Sequence, residues 1–128
     1  MYPKDYRFTK DHEWVKLEGD TATIGITDFA QKQLGDVVYV ELPAIGKTLG
    51  VHQTIGVVES VKAVSDIYSP LSGDVIAVNE ELNNSPETLN QDPHGKGWII
   101  RLRLKNRADW DALLTVSDYE KFLEGLAS

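Results

Sequence analysis

Two stretches of this chain are near copies of each other. Gly35-Asp36-Val37-Val38-Tyr39-Val40 resembles Gly73-Asp74-Val75-Ile76-Ala77-Val78, and each follows an apolar segment carrying Ile-Gly, at Ile24-Gly25 and Ile55-Gly56. Short β-branched runs opened by Gly-Asp read as strands, so the repetition implies one β unit used twice. Two related halves of this kind build a sandwich or a flattened barrel. The halves differ in length: Gly25 to Gly35 is 10 positions and Gly56 to Gly73 is 17, a difference of seven. The extra length falls in the region of Glu59-Ser60-Val61-Lys62-Ala63-Val64-Ser65.

The remaining pattern agrees with a mostly β chain carrying small helices. Apolar residues recur at strand spacing from Trp14-Val15-Lys16-Leu17 to the run 98–104, where Ile100, Leu102 and Leu104 alternate with Arg101 and Arg103. That alternation marks a half-buried strand with one wet face. Glu18-Gly19-Asp20 predicts a hairpin turn. Residues 28–34 predict one or two helical turns. A C-terminal helical segment is expected over about 108–127, with Ser117 and Glu120 as a capping box and Tyr119, Phe122, Leu123 and Leu126 as the packed stripe.

At 128 residues the chain has the length of one domain, 1–128, with a single core. Its formal net charge of −7 argues against nucleic acid and suits basic protein partners. No apolar run approaches a membrane span, and the first residues lack an apolar or Arg/Ser-rich targeting character. A soluble protein with no membrane role is expected. With no cysteine, disulfides, thiol nucleophiles and Cys-based zinc sites are excluded. His12, His52 and His94 lack the spacing of a metal site. The run 93–98 lacks the spacing of a phosphate loop and reads as a glycine-rich turn.

One residue breaks the local rules. Lys62 lies within Gly56–Val75, a stretch that reads as strand, with no Gly, Pro, Asn or Asp within three positions of it. Type I′ and II′ hairpin turns need positive φ, which strains a β-branched Val61. Another turn, such as type I centred near Val61-Lys62, is therefore expected. Places where a sequence contradicts its own local structure are enriched in functional sites.

Around this lysine the chain resembles the H proteins of the glycine cleavage system. Glu59-Ser60-Val61-Lys62-Ala63, followed by residues 65–70 and Ser72-Gly73, matches the family's lipoyl-attachment hairpin, here about 56–70. The segments 12–15, 25–43, 90–98 and 113–123 are similar to H-protein segments as well. Two departures stand out: Val64, where many relatives carry a smaller residue, and His94, where tyrosine is common. The resemblance implies a fold of the lipoyl-domain type (barrel-sandwich hybrid) and lipoic acid as the cofactor, amide-linked to Lys62. Glu59, Ser60, Val61, Ala63 and Asp66 are the expected recognition residues around the attachment site.

It also implies a role as a carrier without catalysis of its own. In the family's cycle a pyridoxal-phosphate glycine decarboxylase loads an aminomethyl group on the oxidised arm. A tetrahydrofolate-dependent aminomethyltransferase unloads it, and a flavin dihydrolipoyl dehydrogenase reoxidises the arm. Between visits the loaded arm is sheltered against the carrier's body. A lipoate ligase or a lipoyl/octanoyl transferase must attach the cofactor. The expected setting is the bacterial cytoplasm, or the mitochondrial matrix if the chain is a processed form, and the expected state is a monomer.

Competing readings fit less well. A biotinyl domain presents Met-Lys-Met, and an acyltransferase lipoyl domain reads Asp-Lys-Ala beside Ala/Pro-rich linkers; neither pattern is present. A small hydrolase or a non-carrier module could use the carboxylates of Glu80 and Glu81 or Asp109 and Asp111. No residue in the sequence stands out as their nucleophile or proton partner.

Overall fold

The computed structural model describes residues 2–127, the side chain of Ala127 excepted. The chain opens with β1 (Arg7–Phe8), β2 (Glu13–Glu18) and β3 (Thr21–Ile26), paired antiparallel in sequence order. The turn between β2 and β3 falls on Gly19-Asp20, as predicted. Gly19 takes φ 64° while Asp20 does not turn positive, the pattern of a II′ turn. Helix α1 (Asp28–Leu34) follows, capped by the Thr27 hydroxyl, which accepts from Ala30 N, and ended by Gly35 at φ 78°.

Next come β4 (Val37–Glu41), β5 (Thr48–Leu49), β6 (Thr54–Ser60), β7 (Val64–Tyr68) and β8 (Gly73–Val78). Two single-turn helices, α2 (Glu81–Asn84) and α3 (Thr88–Gln91), lead to β9 (Ile100–Leu104). A six-stranded sheet has the order β1-β2-β3-β9-β8-β5, and a three-stranded sheet the order β4-β6-β7. The sheets do not close into a barrel, so of the two expected forms the chain adopts the sandwich.

Alternation along the strands fills the space between the sheets. Val15, Ile24, Val75, Ile100 and Leu102 from the larger sheet join Val40, Val58 and Ile67 from the smaller in one buried cluster, closed at one end by Leu82 of α2 and Leu89 of α3. The repeated units cross between layers: β3 belongs to the six-stranded sheet and the following β4 to the three-stranded one. The second unit runs the other way, β6 in the smaller sheet and β8 in the larger. The seven-residue difference is therefore no simple insertion at the apex. The first unit links its strands through α1; the second links them through a turn, the extra strand β7 and a short return. Both repeated Ile-Gly glycines sit at close approaches, where a Cβ would run into the Trp14 ring at Gly25 and the Glu41 carbonyl at Gly56.

The C-terminal segment is two helices, α4 (Arg107–Asp111) and α5 (Val116–Ala127), and α5 starts earlier than its expected cap. Thr115, not Ser117, receives the Asp118 N–H on its hydroxyl at 3.2 Å. Thr-x-x-Asp suits a helix start as well as Ser-x-x-Glu, and only the backbone path separates two such hydroxyls two positions apart. Tyr119 is fully buried and stacks on Phe8 with ring centroids 4.7 Å apart, and Phe122 and Leu123 pack beside it. Leu126 stands half exposed, outside the stripe expected to hold it.

Candidate functional site

The lysine singled out by the sequence is exposed at the bend between β6 and β7. The turn spans Ser60 to Ala63, centred on Val61-Lys62, with neither central residue at positive φ. Its closure differs from a simple type I turn, in which the first carbonyl accepts from the fourth N–H. The Ser60 hydroxyl replaces that carbonyl: it accepts from Lys62 N at 3.3 Å and Ala63 N at 3.1 Å. Ser60 N in turn donates to the Ala63 carbonyl at 2.8 Å. A serine of this kind ties down two N–H groups without glycine, which explains how a turn forms around Val-Lys. Ser60 thus closes the turn.

Bracing from outside the hairpin holds the apex further. Val61 N donates to the Asp36 carbonyl at 3.0 Å, and Val37 of β4 pairs with Ser60. Lys62 folds over Gly35, where a Cβ would lie 3.3 Å from its Cε and 3.9 Å from its Nζ. Glycine suits position 35 through its positive φ, while the exposed lysine stem could shift aside from a Cβ there. The segment Gly35–Val37 is itself clamped by Asn90: its Oδ1 accepts from Val37 N at 2.9 Å, and its Nδ2 donates to the Gly35 carbonyl at 2.8 Å and to Gln31 Oε1 at 3.0 Å. Sequence reasoning missed Asp36 and Asn90 as parts of the site. The available signal was the family-like segment 90–98, but nothing local ties it to a hairpin some 30 residues away.

The outer face of the three-stranded sheet carries two of the expected recognition residues. Tyr39, Glu59 and Val64 lie abreast across β4, β6 and β7, and Glu41, Val57 and Asp66 form the next row on that face. Val64 is 69% exposed, so its size relative to a smaller residue has no packing consequence. Val61 and Ala63 are exposed at the tip.

Beside the hairpin, between α1 and β7, lies a cleft of about 170 Å³. Leu34 and Ala30 of α1, Ile26 of β3 and Ile67 of β7 give it apolar walls, and Glu13 and Asp66 supply carboxylates. Its lining reaches to either side of the lysine in sequence: Leu34 immediately precedes Gly35, over which Lys62 folds, and Ser65 is three residues past Lys62. Glu13 is 2% exposed, and burial pushes its carboxyl up to about 7 despite hydrogen bonds from the Thr9 hydroxyl at 2.6 Å and Tyr68 N at 3.4 Å. Among the described residues no lysine or arginine forms an ion pair with it. Such a carboxyl favours a cation brought to it.

The same cleft wall leans on α5 through His12, whose Nδ1 lies 2.8 Å from the Tyr119 hydroxyl; that hydroxyl also meets Thr27 Oγ1 at 2.8 Å. His94, the second departure, plays a structural part, since its Nε2 accepts from Asp28 N at 3.0 Å at the start of α1. Burial lowers the pKa of both histidines. Of the carboxylates behind the competing readings, Asp109 accepts from Ser72 N at 3.0 Å, while Glu80, Glu81 and Asp111 are exposed. They form no common site.

A two-sheet sandwich built of crossed units, with one lysine raised on a braced hairpin tip, is the architecture of a lipoyl-domain-type carrier. The fold matches the crystal structure of a glycine cleavage system H protein from Mycobacterium marinum with a TM-score of 0.81 at 37% identity, covering 92% of this chain and 95% of that one. In sequence the chain is 53% identical over 124 residues to the glycine cleavage system H protein of Carboxydothermus hydrogenoformans, covering 97% of this chain and 95% of the relative. It is 55% identical over 122 residues to that of Opitutus terrae, covering 94% and 96%. The glycine cleavage H-protein family profile matches residues 6–125. The chain belongs to the glycine cleavage H-protein family, a family of lipoyl carriers.

Proposed function

We propose that Lys62 carries lipoic acid in amide linkage and that this single-domain chain, acting as a monomer and without catalysis of its own, shuttles the loaded arm among the enzymes of glycine cleavage. When bound at Lys62, the lipoyl group would supply a disulfide/dithiol couple able to hold an aminomethyl unit, with a pyridoxal-phosphate glycine decarboxylase, a tetrahydrofolate-dependent aminomethyltransferase and dihydrolipoyl dehydrogenase as the partner enzymes. The chain's own residues supply the tether, its aim and its shelter. The setting that goes with the bacterial relatives is the bacterial cytoplasm.

The observation that carries this reading is the hydrogen-bonded apex. Lysine amines titrate near about 10.4, so few are neutral at pH 7 and an acylating enzyme has to align and deprotonate the one it uses. Ser60, Asp36 and Val37 hold the backbone on either side of Lys62, and its amine forms no ion pair among the described residues that the enzyme would have to break. The cleft beside it fits a long arm ending in a cation: apolar walls for the hydrocarbon and sulfur portions, and Glu13 with Asp66 for a protonated amine. An amine drawn to Glu13 would stabilise the ionised carboxylate that burial disfavours, so cleft and amine stabilise each other.

Incubation with a lipoate ligase, lipoate and ATP, followed by intact mass measurement and peptide mapping, tests the assignment. One lipoyl group confined to Lys62 is the expected product. An unmodified chain, or a modification elsewhere, contradicts it.

A further inference from the structure

We infer that the enzyme acylating Lys62 docks on a composite surface in which Val38 and Tyr39 of β4, more than 20 residues upstream of the lysine, provide the apolar anchor. The inference rests on the carrier reading and adds to it a recognition surface outside the attachment hairpin. Strand β4 contains a bulge: Val37 pairs with Ser60 and Tyr39 with Glu59, leaving Val38 unpaired between them. The extra residue pushes both side chains outward, Val38 to 54% and Tyr39 to 50% exposure. Bulges on edge strands re-aim side chains and are over-represented next to functional sites.

Tyr39 stands abreast of Glu59 and Val64, and Val61 at the tip is as exposed as Val64, at 69%. Four of the seven large apolar side chains exposed among the described residues thus lie on this sheet face and its tip, around one lysine. Carboxylates surround them: Glu59 within the row, Glu41 and Asp66 in the next, and Asp36 at the loop that braces the apex. An apolar group inside an acidic rim calls for a partner with an apolar socket edged by lysine or arginine. Geometry selects the acylating enzyme as that partner. It has to bring its acyl carbon to Lys62 Nζ, which lies on Gly35 only two residues before the start of β4. Enzymes that work at the far end of an acylated arm can dock further away.

The test uses the full chain and a lipoate ligase with lipoate and ATP, following lipoylation by mass spectrometry. The double variant Val38→Ser/Tyr39→Ser is expected to keep the wild-type circular dichroism, because neither side chain belongs to the buried core, yet to raise KM for the carrier at least tenfold with kcat nearly unchanged. Val64→Ser, on the opposite strand, should raise KM in the same direction. Ile45→Ser, at a 62% exposed position in the loop beyond the other end of β4, serves as control and should leave KM unchanged. KM within twofold of wild type for the double variant, or an equal rise for Ile45→Ser, overturns the inference. Wild-type chain that takes up no lipoate would instead overturn the carrier reading, so the two failures are distinguishable.

Discussion

Glu13 combines a buried carboxyl with no basic partner among the described residues, and folding is linked to its titration. Its folded pKa of about 7 lies above the 4.5 of an unburied carboxyl, so between these values the folded state holds a proton that the unfolded state has lost. Stability from this group is therefore present below about pH 4.5 and is lost as pH rises through 7. The shift corresponds to about 3 kcal/mol. His12 and His94 act in the opposite sense over a nearby range, since lowered histidine pKa values make stability rise with pH. The difference between wild type and Glu13→Gln isolates the carboxyl: urea unfolding should show the variant gaining about 3 kcal/mol relative to wild type between pH 4.5 and 8. A constant difference across that range would mean that Glu13 is ionised throughout. Asn90 gives a second test at this scale. Asn90→Ala leaves Val37 N and the Gly35 carbonyl without their partner, and should cost about 1–3 kcal/mol in denaturant unfolding.

On the carrier reading, the hairpin has to orient its lysine as well as expose it, and this distinguishes a braced apex from a loop. Exchanging Val61 and Lys62 keeps composition, charge and a lysine in the turn, while shifting the amine one position away from its place over Gly35. An aligning enzyme loses on the order of a hundredfold for about 1 Å of misplacement. The exchanged protein should fold normally and be lipoylated about a hundredfold more slowly in kcat/KM; an unchanged rate would show that a mobile lysine suffices. The strands on either side are legible in the sequence because alternation is a local property: β9, the Gly19-Asp20 turn and α1 all fall where their residues predict. What is illegible is non-local. No spacing links Asn90 to Val37, 53 positions apart, or Asp36 to Val61. The cap of α5 departs from its expected place because two hydroxyls two residues apart carry equal local signals, and Leu126 departs because helical periodicity does not say where the sheet beneath a helix ends.

For the whole molecule, the fold keeps two demands apart. The sandwich core and the aromatic cluster of Phe8, Trp14 and Tyr119 form the packed body, and the smaller sheet leaves one end free to present a side chain. The repeated units legible in the sequence are what make this possible, since crossing between layers places α1 beside the hairpin and opens the cleft between them. On the carrier reading, the whole body serves one amine. That reading is tested most directly by glycine-dependent CO2 release in a system reconstituted with glycine decarboxylase, aminomethyltransferase, dihydrolipoyl dehydrogenase and a lipoylating enzyme, comparing wild type with Lys62→Arg. At an exposed tip the arginine should change stability by less than about 0.5 kcal/mol, yet its guanidinium stays protonated and cannot form the amide. Turnover with wild type and none above background with a folded arginine variant is the predicted result; equal turnover by the two would contradict it.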